Sequence, residues 1–168
     1  MKKKVLPVIV AILLILVIGG CALGKVLLDK YSYSKEEADW NEFYQVSEND
    51  RSAIILQNEM VEEQALIKDG VCYFDLATVH KYMNEVFYAD MTENLLLYAT
   101  PTEVIRTTFG ETVYTTTEGT QEAGYVISFA DGDNVYVAAD YVKLFTNYSY
   151  ECYDRHVQVL SLIHISEP

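Results

Sequence analysis

The chain has 168 residues, about half of them apolar and 14 of them tyrosine, with a net charge of −13. All 25 Asp and Glu lie beyond an apolar N-terminal run, against eight Lys and Arg after Lys25, so that part alone carries −17. Such a surface repels nucleic acid and other anionic polymers and keeps a secreted body soluble, and the length allows one domain or two very small ones by the usual ~100–200 residues per domain.

The first predicted element is Val5 to Gly24, VLPVIVAILLILVIGGCALG, which carries no charge. It has the ~20 residues that a bilayer core needs. Pro7 sits near its start, where a helix tolerates proline. Lys2 to Lys4 precede it and should stay in the cytoplasm by the positive-inside rule. The expectation is a cytoplasmic lysine cluster and transmembrane anchor over 1–30, a single pass through the cell membrane, and an extracytoplasmic body. Two alternatives stay open: a cleaved signal peptide, and a lipoprotein signal with Cys21 behind the two small residues of IGGC. Cys21 is followed by ALGKVLLDKYSYSKEE, which reads as a continuing helix and favours the uncleaved anchor.

Residues 31–50 read as a juxtamembrane helix and linker. Ser34 with Glu37 three residues on forms a capping-box pattern, which predicts a short helix from Lys35 to Phe43. Ser47 to Ser52 reads as a loop and AIILQ, from Ala53, as a short buried strand. Asp69-Gly70 stands between two apolar-rich runs and predicts a hairpin with a two-residue turn. Asp75 can cap a helix in which Leu76, Val79, Tyr82 and Met83 share one face. VFYAD and LLLYAT follow as strands around the turn MTEN, and Pro101 ends that ladder. The same order recurs after a turn at Asp131 to Asn134. A shift of 63 residues sets Tyr73 on Tyr136, Val79 on Val142, Tyr82 on Phe145 and Asn84 on Asn147. The fold class expected is α+β: a transmembrane helix, then a duplicated β-hairpin–helix–β-hairpin unit with antiparallel sheet packed on helices. The body would span 51–159, with repeats over 61–100 and 124–159 packed into one unit. The Thr-rich stretch between them predicts strands around Gly110 and an exposed loop from Glu118 to Gly124.

Reactive chemistry finds little support. FADGDN clusters carboxylates, but a calcium loop needs further oxygen ligands and a closing Glu. Asp131, Gly132, Asp133 and Asn134 are what a tight turn wants. TNYSYECYD looks like the tyrosine motif from which copper amine oxidases build their quinone, but Ser149 follows Asn147-Tyr148 where an acid is needed. Copper would want several imidazoles, and His80 and His156 read as surface histidines, with His164 set aside below. Asn147-Tyr148-Ser149 also fits a glycosylation pattern, relevant only in a eukaryotic secretory route. No nucleophile-elbow pattern is present. Glu62-Glu63 reads as a solvated face. Tyr141, Phe145, Tyr148, Tyr150 and Tyr153 could line a sugar-binding strip, although core plus scattered surface tyrosine is the commoner outcome. Cys72 and Cys152 either pair or stay buried as apolar residues, a choice that spacing alone leaves open.

DGVCYFDLATVHKYMNEVFYADMTENLLLY resembles the small β-α-β modules named after the N-terminal domain of copper amine oxidases. The resemblance implies a stalk in which a sheet wraps one face of a helix, with no copper site of its own. KYSYSKE, AIILQ, LLLYATPTEVI and VYVAADYVKLFTNYSYE are similar to the N-terminal region of membrane-anchored surface proteins of gut clostridia. Those proteins continue into a bacterial SH3-like domain and a family 18 glycoside hydrolase domain. The resemblance covers nearly all of Met1 to Val159. That family's catalytic signature, alternating Asp residues ending in Glu, is not in this chain, so no catalytic, cofactor-binding or metal residue carries over. Leu160 to Pro168, LSLIHISEP, can be written as CTG TCT CTT ATA CAC ATC TCC GAG CCC, which resembles the transposase adapter used to fragment DNA for sequencing. It reads as adapter read-through, to be set aside from the domain. The functional expectation is a non-catalytic, membrane-anchored stalk for a glycoside hydrolase acting on chitin or cell-wall glycan. Its partners would be the membrane, through Val5 to Gly24, and cell-wall glycan, with no nucleic acid. The rival is a cell-wall or glycan-binding module that acts through exposed tyrosines.

Overall fold

The computed structural model describes residues 5–31, 39–46 and 48–161, with side chains in the first stretch described at 13, 14 and 16–31. The chain divides into two units, 1–38 and 39–168. The first contains helix α1 (Val5–Tyr31), with Lys30 in its last turn, where a cation complements the carbonyl end. Among the described residues no helix is long and apolar enough to cross a membrane. That overturns the transmembrane anchor expected over Val5 to Gly24, and with it the single-pass membrane location.

The second unit opens with a short helix, α2 (Trp40–Tyr44), capped by Asp39, whose carboxylate accepts from the Asn41 and Glu42 amides. The helix expected over Lys35 to Phe43 is thus observed only from Trp40; the Ser34–Glu37 capping box lies outside the described residues. Strands β1 (Arg51–Leu56), β2 (Glu59–Lys68) and β3 (Val71–Asp75) follow, then α3 (Leu76–Tyr82), β4 (Phe87–Asp90) and β5 (Leu95–Ala99). Next come β6 (Val104–Thr108), β7 (Val113–Thr116), β8 (Gly119–Glu122), β9 (Ser128–Asp131) and β10 (Asn134–Ala138). Helix α4 (Ala139–Leu144), β11 (Tyr148–Cys152) and β12 (His156–Ser161) close the unit. Leu160 and Ser161 continue β12 opposite Ser149 and Tyr148, while 162–168 lie outside the described residues.

Two sheets result. Seven strands run in the order β11-β12-β1-β2-β3-β10-β9, and five form the meander β4-β5-β6-β7-β8. The local turn chemistry explains the hairpins. Lys68 pairs with Val71 across Asp69-Gly70, and both turn residues have positive φ, 52° and 79°, as a two-residue turn of this twist requires. Asp131 pairs with Asn134 across Gly132-Asp133, so the carboxylates of FADGDN serve a turn. Asp75 caps α3 by accepting from the Ala77 amide at 2.9 Å. The stretch expected as a loop at Glu118 to Gly124 contains β8, an exposed outer strand of polar residues, a composition that discourages edge-to-edge pairing.

The fold class departs from the expectation. The molecule is mostly β, and its helices do not form a duplicated hairpin–helix–hairpin unit. The hairpin after α3 joins the five-stranded sheet, whereas the hairpin after α4 joins the seven-stranded one. The larger sheet is also not wholly antiparallel, because β1 and β12 run parallel with Ala53 opposite His156 and Leu56 opposite Val159. The cause is non-local packing. Phe87 of β4 lies 6.2 Å from Tyr141 of α4, and Tyr98 of β5 stacks on Phe145 at 4.5 Å, so the first hairpin buries its aromatic face against α4. The second hairpin buries Val157 and Val159 while lying along β1. One core results, with Ile54, Phe74, Val79, Phe87, Leu96, Ile127, Val137 and Tyr141 all nearly inaccessible.

Candidate functional site

Helix α2 is too short to stand alone and buries none of its five residues. It is held from below: Val46 is buried in the core, and Gln64 Nε2 on β2 donates to the Gln45 carbonyl at 3.1 Å. Trp40, Phe43 and Tyr44 stand three and four positions apart and so share one side of the helix. From the other end of the unit, the β11–β12 turn brings up Tyr153 and His156. The turn closes through Tyr153 N–H donating to the His156 carbonyl at 2.8 Å. Arg155 fixes it by donating to the Asn49 carbonyl and to Asn49 Oδ1 at 3.4 and 3.3 Å.

These two pieces build a ladder of four rings. Trp40 stacks on Tyr44 with centroids 6.0 Å apart, Tyr44 on His156 at 4.7 Å, and His156 on Tyr153 at 4.6 Å, with interplanar angles of 22°, 28° and 13°. The two end rings remain open to solvent, Trp40 at 54% and Tyr153 at 50% exposure. Trp40, Tyr44, Tyr153, Asp154, Arg155 and His156 line a concave, mainly apolar space of about 250 Å³. Tyr153 Oη donates to Glu151 Oε2 at 2.7 Å, and that carboxylate raises the phenol above its ordinary value, so the ring stays a neutral hydrogen-bonding group. An aromatic face carries negative charge, so it accepts the C–H face of a flat apolar surface such as a pyranose ring. Asp154 and Arg155 place an acceptor and a fork of donors at the rim.

The expected aromatic strip is largely dispersed. Tyr141 is fully buried, Phe145, Tyr148 and Tyr150 are partly buried against the core, and only Tyr153 reaches the platform. His80 is exposed, with Nε2 at the Phe87 carbonyl. His156 is half-buried between two tyrosines, so it is not the free surface histidine the sequence suggested. Glu63 is engaged by Lys81 Nζ at 2.7 Å and the Tyr82 hydroxyl at 3.0 Å, which hold its carboxyl below the usual carboxylate range. Among the described residues no group of three His, Cys, Asp or Glu lies close enough to hold a metal ion. Sequence reasoning missed Trp40 and Tyr44 altogether. Their signal was available: a short helix whose aromatic residues all share one side, with no adjacent apolar run to bury them against.

No family model matches the chain, and no curated protein or solved structure matches it.

Proposed function

We propose that residues 39–161 form a non-catalytic glycan-binding module that also serves as a spacer for a neighbouring domain. The observation that carries the binding role is the Trp40–Tyr44–His156–Tyr153 ladder beside an apolar hollow with Asp154 and Arg155 at its edge. Recognition of a sugar needs few groups: a flat aromatic face for the ring and one or two polar side chains for its hydroxyls. The spacer role rests on a different observation. Because β1 and β12 run parallel, the chain comes into the sheet at one end of this strand pair and leaves it at the other. Antiparallel pairing would return it to the same end. The similarity of several segments to clostridial surface proteins supports a family 18 glycoside hydrolase as the domain served, and chitin or peptidoglycan as the glycan.

Retention of the full chain on insoluble chitin and on purified peptidoglycan tests the binding role. Retention is expected on one of them, and Trp40→Ala and Tyr153→Ala should each weaken it about tenfold, the equivalent of ~1.4 kcal/mol. Absence of retention on both removes the binding role and leaves the spacer. Release of reducing sugar by the pure chain would overturn the non-catalytic reading.

A further inference from the structure

Cys72 and Cys152 are 80 positions apart and sit on strands separated in the sheet by β12, β1 and β2. The sheet nevertheless curls until β3 and β11 face each other. Phe74 of β3 meets Tyr150 of β11 edge to face, with centroids 6.3 Å apart. Both also line one narrow cavity under α4. Strand directions follow from the pairings. β11 is antiparallel to β12, β12 parallel to β1, β1 antiparallel to β2, and β2 antiparallel to β3. Hence β3 and β11 run in opposite directions. In facing strands of opposite direction, the residue two before Phe74 comes level with the residue two after Tyr150. The two-residue period keeps each on the same side as its aromatic neighbour. Those residues are Cys72 and Cys152. Each thiol acts on the other: the neighbouring Cys152, together with burial, pushes the Cys72 thiol up, and Cys72 in turn draws Cys152 below the ordinary thiol value. Cys72 is buried and Cys152 exposed, so one thiol is reachable from solvent and the other is shielded behind it.

We propose that Cys72 and Cys152 are a redox pair that closes an intrachain disulfide by exchange with a small disulfide of the glutathione type. The Cys152 thiolate attacks one sulfur of the small disulfide, whose S–S bond breaks to release one small thiolate. Cys72 then gives up its proton and attacks Cys152 Sγ, expelling the second small thiolate. The protein thiols lose two protons and two electrons, and the small disulfide becomes two small thiols. The product ties the edge strand β11 to β3, across the core.

The test uses the full chain with Cys21→Ser, treated with oxidised glutathione. Its intact mass should fall by two hydrogens, peptide mapping should find Cys72 joined to Cys152, and neither should take an alkylating label. The melting temperature should rise by roughly 10 °C, reversed by dithiothreitol, as closing a long loop predicts. In Cys72→Ser of the same background, Cys152 should instead keep one glutathione. If both thiols of the Cys21→Ser chain still take the label after oxidation, or if Cys152 links only to a second copy, the pair is not a redox couple. Mapping the parent chain decides this even where Cys72→Ser fails to fold.

Discussion

Tyr141 brings a hydroxyl into the centre of the molecule, and among the described residues that hydroxyl has no hydrogen-bond partner. Its ring is well placed: it lies 5.1 Å from Phe145, 5.3 Å from Tyr114 and 6.2 Å from Phe87, and the residue is 1% exposed. Burial pushes the phenol well above its ordinary value, with the nearby Tyr114 and Tyr125 adding to the rise. The ring therefore contributes packing, while the oxygen loses hydrogen bonds to water without replacing them, at a cost of about 1–3 kcal/mol. Tyr141→Phe keeps the ring and removes the unpaired oxygen. It should leave stability unchanged or raise it by about 1 kcal/mol. Urea unfolding of the two proteins measures this, and a loss of more than about 1 kcal/mol would show that the hydroxyl has a partner after all.

The β2–β3 hairpin carries the clearest conformational demand of any element. Gly70 has φ of 79° beside Asp69 at 52°. A Cβ added at Gly70 would meet nothing within 4 Å. Its cost is therefore purely that of holding an L side chain in the left-handed region, about 1 kcal/mol. Gly70→Ala should lower the unfolding free energy by that amount, read as a lower urea midpoint with an unchanged slope, and an unaltered midpoint would mean that the turn relaxes into another type. This hairpin was legible in the sequence because its cause is local: Asp-Gly supplies two positive φ values, and the flanking runs supply the ladder. The Asp75 cap of α3 was legible for the same reason. The α2 boundary was less so, because two acceptors compete: Ser34 of a capping-box pattern and Asp39, the one observed at the helix start. The sheet each hairpin joins was not legible at all. The segments matched by the 63-residue shift have similar local sequences and different destinations, since Phe87 and Tyr98 find the aromatic face of α4 while Val157 and Val159 line up along β1.

At the scale of the whole molecule, the platform is assembled from pieces more than 100 residues apart in the chain, and that distance is why its composition could not be read beforehand. Tyr153 was visible as one member of an expected aromatic strip and His156 only as a surface histidine; Trp40 and Tyr44 complete their stack. The supports of the platform lie in the sheet. His156 begins β12, the Ala53 amide of β1 donates to the Arg155 carbonyl at 3.0 Å, and Gln64 of β2 holds the end of α2. Both sheets in turn share α4: its Tyr141, with Phe145 just after its last turn, packs on the five-stranded sheet while the helix also packs on β3 and β11. A body connected in this way should lose the platform only when it loses the core. Trp40 is the single tryptophan of the chain, so its fluorescence reports the platform alone. Far-ultraviolet circular dichroism reports the β-sheets. In urea the two signals should change in one coincident transition, as expected for a two-state domain. Should Trp40 fluorescence change at clearly lower urea, the ladder would be a frayed attachment and not a preformed surface, and a ligand would have to meet the entropic cost of ordering its rings.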